Sequence, residues 1–323
     1  MTDAFVTAVE DRIAAVLRTP ATAGPEEGLL AQAASHLIGG GGKRFRPRLV
    51  RLLGGLFEPL PEAQLLRVAT GVEMLHAASL LHDDVVDAGT ERRHRPTVNV
   101  QWNNSVAVLA GDWLLSRAVL EVAPLGPAVV LDAVRTVAAM TLSAIREVEA
   151  RGRTDFGYAR WRQMAEGKAG ELFAWCGRSV SAVGGAPEAA ETLSRLGSSL
   201  GVAFQMADDL GDLLDERSGK DRFADLRNQN PSFALAVLLE AEPALRARVA
   251  ELWRTPSAPA LLELGERLAA SPAVGLARSL LREELTRSLA LLSTLASPTI
   301  VGQLVDLASS FAGGQVAHLR GAA

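Results

Sequence analysis

Leu80-Leu81-His82-Asp83-Asp84-Val85-Val86-Asp87 and Phe204-Gln205-Met206-Ala207-Asp208-Asp209-Leu210-Gly211-Asp212 carry one pattern twice, Asp-Asp-x-x-Asp closing an apolar run. On a helix, residues four apart share a face, so Asp83 pairs with Asp87 and Asp208 with Asp212. Like charges at that spacing repel unless a cation lies between them. For one such cluster a solvated charged face is an adequate account. Apolar flanks on both clusters, and their recurrence in one chain, argue against it. The donor set suits Mg²⁺, which takes one or two carboxylates and completes its shell with phosphate oxygens and water. No His or Cys stands nearby at a ligand-like spacing, so zinc is not indicated.

Outward from the clusters, apolar residues recur at intervals of three and four, as in Val68, Val72, Leu75, Ser79 and His82 down one face. Helices are expected over 4–17, 29–37, 48–56, 62–87, 105–122, 129–149, 158–183, 187–215 and 233–240, with an Ala/Leu-rich helical tail from Pro259. Breaks fall at Gly/Pro clusters such as Gly39–Gly42, Gly89–Pro96 and Gly184–Pro187. No strand alternation and no linker-like composition stand out, so the expectation is one all-α domain over 1–323.

Composition narrows the function. The 323 residues are 48% apolar and only 5% aromatic, with a net charge of −4. That balance, without a dense basic run, excludes a nucleic-acid partner. The N-terminus lacks a signal-peptide layout. No uninterrupted apolar stretch reaches the roughly 18 residues of a membrane span. A single cysteine, Cys176, permits no intrachain disulfide and reads as a small core hydrophobe. The expected protein is soluble and cytoplasmic, with no transmembrane segment.

Thirty arginines stand against three lysines: Lys43, Lys168 and Lys220. A lysine kept in so arginine-rich a chain points to a place for a compact ammonium, as at a phosphate. Lys43 sits in the glycine-rich Gly39-Gly-Gly-Gly-Lys-Arg-Phe-Arg-Pro47. Lys168 lies in Glu166-Gly-Lys-Ala-Gly170, and Lys220 follows the second Asp cluster. The loop is not a Walker A motif, because Gly-x-x-x-x-Gly-Lys-Ser/Thr is absent. A surface turn and solvated lysines are the bland readings; beside two carboxylate clusters, a site for two diphosphates accounts for more.

From about Gly39 to Leu239 the chain resembles the trans-isoprenyl (polyprenyl) diphosphate synthases. The resemblance rests on blocks 41–47, 73–87, 92–99, 109–118 and 204–212, in that order and spacing. It implies a single helical domain of the isoprenoid synthase type with a central cavity, usually as a homodimer. It also implies a prenyltransferase that condenses isopentenyl diphosphate with an allylic diphosphate. Asp83, Asp87, Asp208 and Asp212 would carry Mg²⁺, three ions with substrate bound, and Asp84 and Asp209 complete the catalytic clusters with Lys168. Arg92, Lys168, Gln205 and Lys220 would hold the allylic diphosphate; Lys43, Arg46, His76 and Arg93 would hold isopentenyl diphosphate.

Three departures fall on the allylic side. Ala169 stands where the family has threonine, Asn230 where it has a further lysine, and Arg146-Glu-Val-Glu-Ala150 where it has a Gly-Glu-x-x-Gln-like stretch. Product length follows from helix geometry. One turn rises about 5.4 Å, close to one isoprene unit. The turn just before Asp83 presents small residues, Ala78 and Ser79, with Leu75 below them. With no aromatic there, the expected product is medium to long, ~C25–C40 by resemblance. Met74, Leu75 or Val72 would set a later floor, unless Met140 or Phe173 from facing helices intrudes first. Two other readings share the motifs: a terpene cyclase, which would need no isopentenyl residues, and a non-catalytic subunit of a heteromeric synthase, which would not need intact Asp clusters.

Overall fold

The computed structural model describes residues 4–18, 24–57, 59–214 and 222–312. In chain order the helices are α1 (Ala4–Leu17), α2 (Pro25–Ile38), α3 (Phe45–Gly54), α4 (Glu62–Val86), α5 (Val98–Gln101), α6 (Asn104–Val122), α7 (Pro127–Ala150), α8 (Tyr158–Ala165) and α9 (Glu171–Val183). They continue with α10 (Ala190–Leu214), α11 (Ala224–Arg227), α12 (Phe233–Ala241), α13 (Ala244–Arg254), α14 (Ala258–Ala269), α15 (Ala273–Ser293) and α16 (Pro298–Ala312). A π-helical turn, Glu166–Gly170, joins α8 to α9. The only strands among the described residues are β1 (Glu91–Arg92) and β2 (Arg95–Pro96), an antiparallel pair. The fold is all-α, as expected.

The chain forms two compact units, one of residues 1–137 with 175–190, the other of 138–174 with 191–323. In the first unit α4 is the central helix, lying against α1, α2, α3 and α6. It is apolar nearly all round: Val68, Ala69, Val72, Met74, Leu75, Ala77, Ala78 and Leu81 are buried, as suits a helix enclosed by others. Each fully buried aliphatic side chain contributes roughly 1.5–3 kcal/mol. Gly71 admits a close approach: a Cβ there would lie 2.4 Å from a Val122 methyl, with the buried Trp175 indole 3.6 Å away. Cys176 is buried in this unit, and burial pushes its thiol up to about 12.

The second unit is built round α10, α12 and α15. Residues Phe233 to Leu239 of α12 are all buried, in a core that includes Trp161, Met206, Leu210, Leu281 and Leu285. Two glycines on α10 bring its backbone onto its neighbours. A Cβ at Gly197 would lie 2.3 Å from the Phe173 carbonyl oxygen, and one at Gly201 would lie 2.7 Å from that of Ala169, in the π-turn. Beneath this contact, Glu284 is 1% exposed. It accepts from Arg162 at 2.7 and 3.1 Å, from Ser199 Oγ at 2.6 Å and from Arg287 at 2.9 Å. α8 and α15 are thereby pinned to α10.

Candidate functional site

The first Asp cluster closes α4, and its three carboxylates divide by direction. Asp83 is half-buried and Asp87, the C-cap, is exposed. Asp84 points inward and accepts from Arg92 Nε at 3.0 Å and Nη2 at 2.8 Å. Arg92, expected to meet a diphosphate, is therefore tethered to Asp84, which fixes the start of the hairpin. The hairpin's two turn residues, Arg93 and His94, have φ of 55° and 61°. A two-residue hairpin favours that left-handed geometry, normally supplied by Asn-Gly. Non-glycine residues rarely adopt it, and such strain gathers at functional sites.

The hairpin places Arg93 over the glycine loop. Gly41 and Gly42 have φ of 83° and 151°. A side chain at Gly42 would meet the guanidinium nitrogens of Arg93 at 3.1 Å and Arg44 at 3.2 Å, so glycine is what lets these cations approach. Arg44 itself (φ 51°) is spent structurally, on Glu73 at 2.7 Å and Glu10 at 3.0 Å. Arg46 is buried and Lys43 exposed. His76 lies well below the usual imidazole range, first because it is buried and then through repulsion by Arg46, Arg93, Arg92 and Arg44. A neutral imidazole among guanidinium groups is a hydrogen-bonding partner for an anion. Lys43, Arg46, His76 and Arg93 thus belong to one basic region of the first unit.

The second cluster repeats the division. Asp208 is exposed and Asp212 half-buried, while Asp209 points inward. Asp209 accepts from the Phe233 N–H at 2.6 Å, Gln205 Nε2 at 2.7 Å and Trp161 Nε1 at 3.2 Å. Burial pushes its carboxyl up to about 7; the Phe233 and Gln205 hydrogen bonds oppose that, and Asp208 and Glu147 add to it. Asp212 accepts from the backbone N–H groups of Ala224 and Asp225, which seats α11 beside the cluster. Asp225 is held well above the usual carboxylate range by burial and by Asp209, Asp212 and Asp208. Asn230, standing where the resemblance places lysine, donates to Asp225 at 3.2 Å.

A pocket opens here, lined by Glu147, Trp161, Lys168, Gln205, Asp209, Asp225 and Asn230 among others. Lys168 projects from the π-turn and donates to Glu147 Oε2 at 2.7 Å. Lys220 falls outside the described residues. No group of three or more His, Cys, Asp or Glu among the described residues is gathered closely enough to hold a metal alone. The donors nevertheless fit a divalent ion that takes one or two carboxylates and finds its other oxygens on substrate and water.

Ala78 and Leu75 are buried, and Ser79 donates to the His76 carbonyl at 2.8 Å. Sequence reading overlooked Glu147, Trp161 and Asp225 as pocket residues, and Glu73 as the anchor of Arg44. Glu147 stood in a stretch noted only for its departure from the family pattern, and nothing in the spacing signalled its contact with Lys168.

Comparison with known proteins agrees with this geometry. Residues 27–262 match the family described as Polyprenyl synthetase. A nonaprenyl diphosphate synthase from Mycobacterium tuberculosis is 36% identical over 84% of this chain and 83% of its own. Heptaprenyl diphosphate synthase component 2 from Geobacillus stearothermophilus is 33% identical, over 67% of this chain and 69% of its own. The crystal structure of a decaprenyl diphosphate synthase from Rhodobacter capsulatus superposes with a TM-score of 0.85 at 26% identity, covering 98% of this chain and 96% of that one.

Proposed function

The chain belongs to the polyprenyl synthetase family, and on that premise we propose how its residues divide the work of a trans-prenyltransferase that joins isopentenyl diphosphate to an allylic diphosphate. The carrying observation is the repeated division of each Asp cluster. In both, the middle carboxylate (Asp84, Asp209) is buried and bonded to protein side-chain or backbone donors, while the first and last (Asp83 and Asp87, Asp208 and Asp212) are half-buried or exposed, Asp212 with its two backbone N–H bonds from α11. The outer four are the assigned ligands of Mg²⁺, three ions with substrate bound, which supply charge stabilisation to a departing diphosphate.

Lys168 and Gln205 line the allylic side, with Lys220 assigned beside them from the sequence. Arg92 acts at one remove, by orienting Asp84. Lys43, Arg46, His76 and Arg93 hold isopentenyl diphosphate. The allylic C–O bond breaks as its diphosphate leaves, and the isopentenyl double bond attacks the resulting cation. A proton then passes to the departing diphosphate, leaving an allylic diphosphate one unit longer. The small Ala78 and Ser79 support a medium- to long-chain product.

Two further assignments complete the reading. The family match runs through residues of both compact units, which supports treating 1–323 as one functional domain. α7 is, among the described residues, the one helix long and apolar enough to cross a membrane by length and composition. Its exposed Leu131 and Val134, with Val108, Leu109 and Leu120 on α6, support a homodimer in which a second copy covers them.

The test is a product assay with purified protein, Mg²⁺, labelled isopentenyl diphosphate and a series of allylic diphosphates. A ladder of longer prenyl diphosphates is expected. Consumption of the allylic diphosphate without label incorporation would favour a cyclase instead. Activity appearing only with a second, different subunit would favour a heteromeric enzyme, the arrangement named in the Geobacillus relative.

A further inference from the structure

Glu147 is held in place more firmly than a passing surface ion pair requires. Its side chain is 28% exposed and that of Lys168 is 32%, so both are largely withdrawn from water. The helix and the turn that carry them are fastened at the same level. Just before the π-turn the Met164 carbonyl accepts from Ser143 Oγ at 2.6 Å. Ser143 lies one helical turn before Glu147 on α7. Gly167, next to Lys168, has room for a hydrogen only, since a Cβ there would lie 2.9 Å from that of Ser143. The pair faces a pocket whose lining also includes the carboxylates of Asp209 and Asp225.

We propose that Glu147 is a resident counter-ion for Lys168, a positioning residue that holds the ammonium extended and surrenders it to the allylic diphosphate. The inference rests on assigning Lys168 to that diphosphate. A carboxylate and a diphosphate compete for the same N–H donors. The incoming anion must therefore displace Glu147 and then tolerate its charge nearby. A like charge kept in a half-buried site opposes an anion, and a tenfold loss of affinity from it corresponds to about 1.4 kcal/mol. Glu147 thus lowers the affinity of the allylic site for any anion too weakly charged to win the exchange. It does so without touching the reacting carbon.

The experiment is calorimetric titration of the Mg²⁺-loaded protein with inorganic pyrophosphate, beside steady-state kinetics. Glu147→Gln keeps the shape and a hydrogen-bond acceptor but removes the charge. It is expected to tighten pyrophosphate binding about tenfold and to lower the allylic KM similarly, with kcat and the isopentenyl KM within about twofold. Lys168→Ala should weaken pyrophosphate binding, and adding Glu147→Gln to it should gain nothing.

An unchanged or weaker affinity in Glu147→Gln, with Lys168→Ala still impaired, overturns the counter-ion role alone. A tenfold gain that persists without Lys168 also overturns it, as a general field effect. Wild-type affinity in Lys168→Ala overturns the assignment of Lys168 and the proposal with it. If Glu147→Gln does not fold, Glu147→Ala carries the same comparison.

Discussion

Replacing Glu284 with glutamine is the sharpest test of how the Lys168 side of the pocket is held. The substitution is nearly isosteric, so its cost is electrostatic. Four donated hydrogen bonds converge on the carboxylate, two from Arg162 and one each from Ser199 and Arg287. Removing one partner of a buried ion pair typically costs roughly 3–5 kcal/mol. Three features set the value here near the lower end. Arg162 keeps Glu166 at 2.8 Å. Arg287 is 54% exposed and is rehydrated readily. The glutamine oxygen can still accept from one donor. The expected loss is therefore about 3 kcal/mol, read from urea unfolding followed by circular dichroism.

α8 leads directly into the π-turn, so the allylic KM should rise in the same variant while the isopentenyl KM does not. Replacing both partners (Arg162→Met with Glu284→Met) should recover much of the stability, because no buried charge is then left alone. A Glu284→Gln variant within 1 kcal/mol of wild type, or a double variant as unstable as the sum of the singles, would refute the reasoning.

The other expectations concern the site itself. Asp83→Ala and Asp208→Ala should each lower turnover by orders of magnitude, with an unaltered circular dichroism spectrum; near-normal turnover would remove them from the metal assignment. Ala78→Phe fills a buried position before the first cluster and should shorten the product by at least one isoprene unit, scored by chromatography of the dephosphorylated alcohols. The Asp209 carboxyl is raised to about 7, whereas unfolded aspartate titrates near 3.9. The folded protein thus binds the extra proton between those values, and metal-free stability should fall as pH rises from about 4 to about 7. The slope contributed approaches 1.4 kcal/mol per pH unit and should be absent from Asp209→Asn; equal slopes with and without Asp209 would assign the effect elsewhere.

What the sequence made legible was whatever a single helix records about itself. The buried surface of α4 and the four-residue spacing within each Asp cluster are periodic, and periodicity survives in one dimension. Helix starts were less readable: α3 begins at Phe45 rather than Arg48, after a left-handed Arg44, and α2 begins at Pro25, whose ring suits a first helical position. The run 158–183 looked continuous because nothing local breaks it. Its π-turn goes with contacts to distant residues, Gly167 on Ser143 and Gly170 on Ser198. The hairpin at 91–96 was missed because two-residue strands show no alternation and Arg93-His94 is an unusual turn. Which Asp of each cluster faces inward depends on donors from Arg92, Trp161 and Phe233, and no spacing within the cluster encodes them.

The enclosed thiol of Cys176 gives this chain an experimental convenience. Maleimides and thiol-directed nitroxide reagents are electrophiles that the thiolate attacks, and a buried sulfhydryl whose ionisation is pushed up to about 12 presents almost no thiolate at neutral pH. The native protein is therefore already a silent background for site-directed labelling. A cysteine introduced at exposed Leu131 or Leu142 would be its sole reactive handle, and the spin–spin distance between labels would report directly whether two copies meet along that helix.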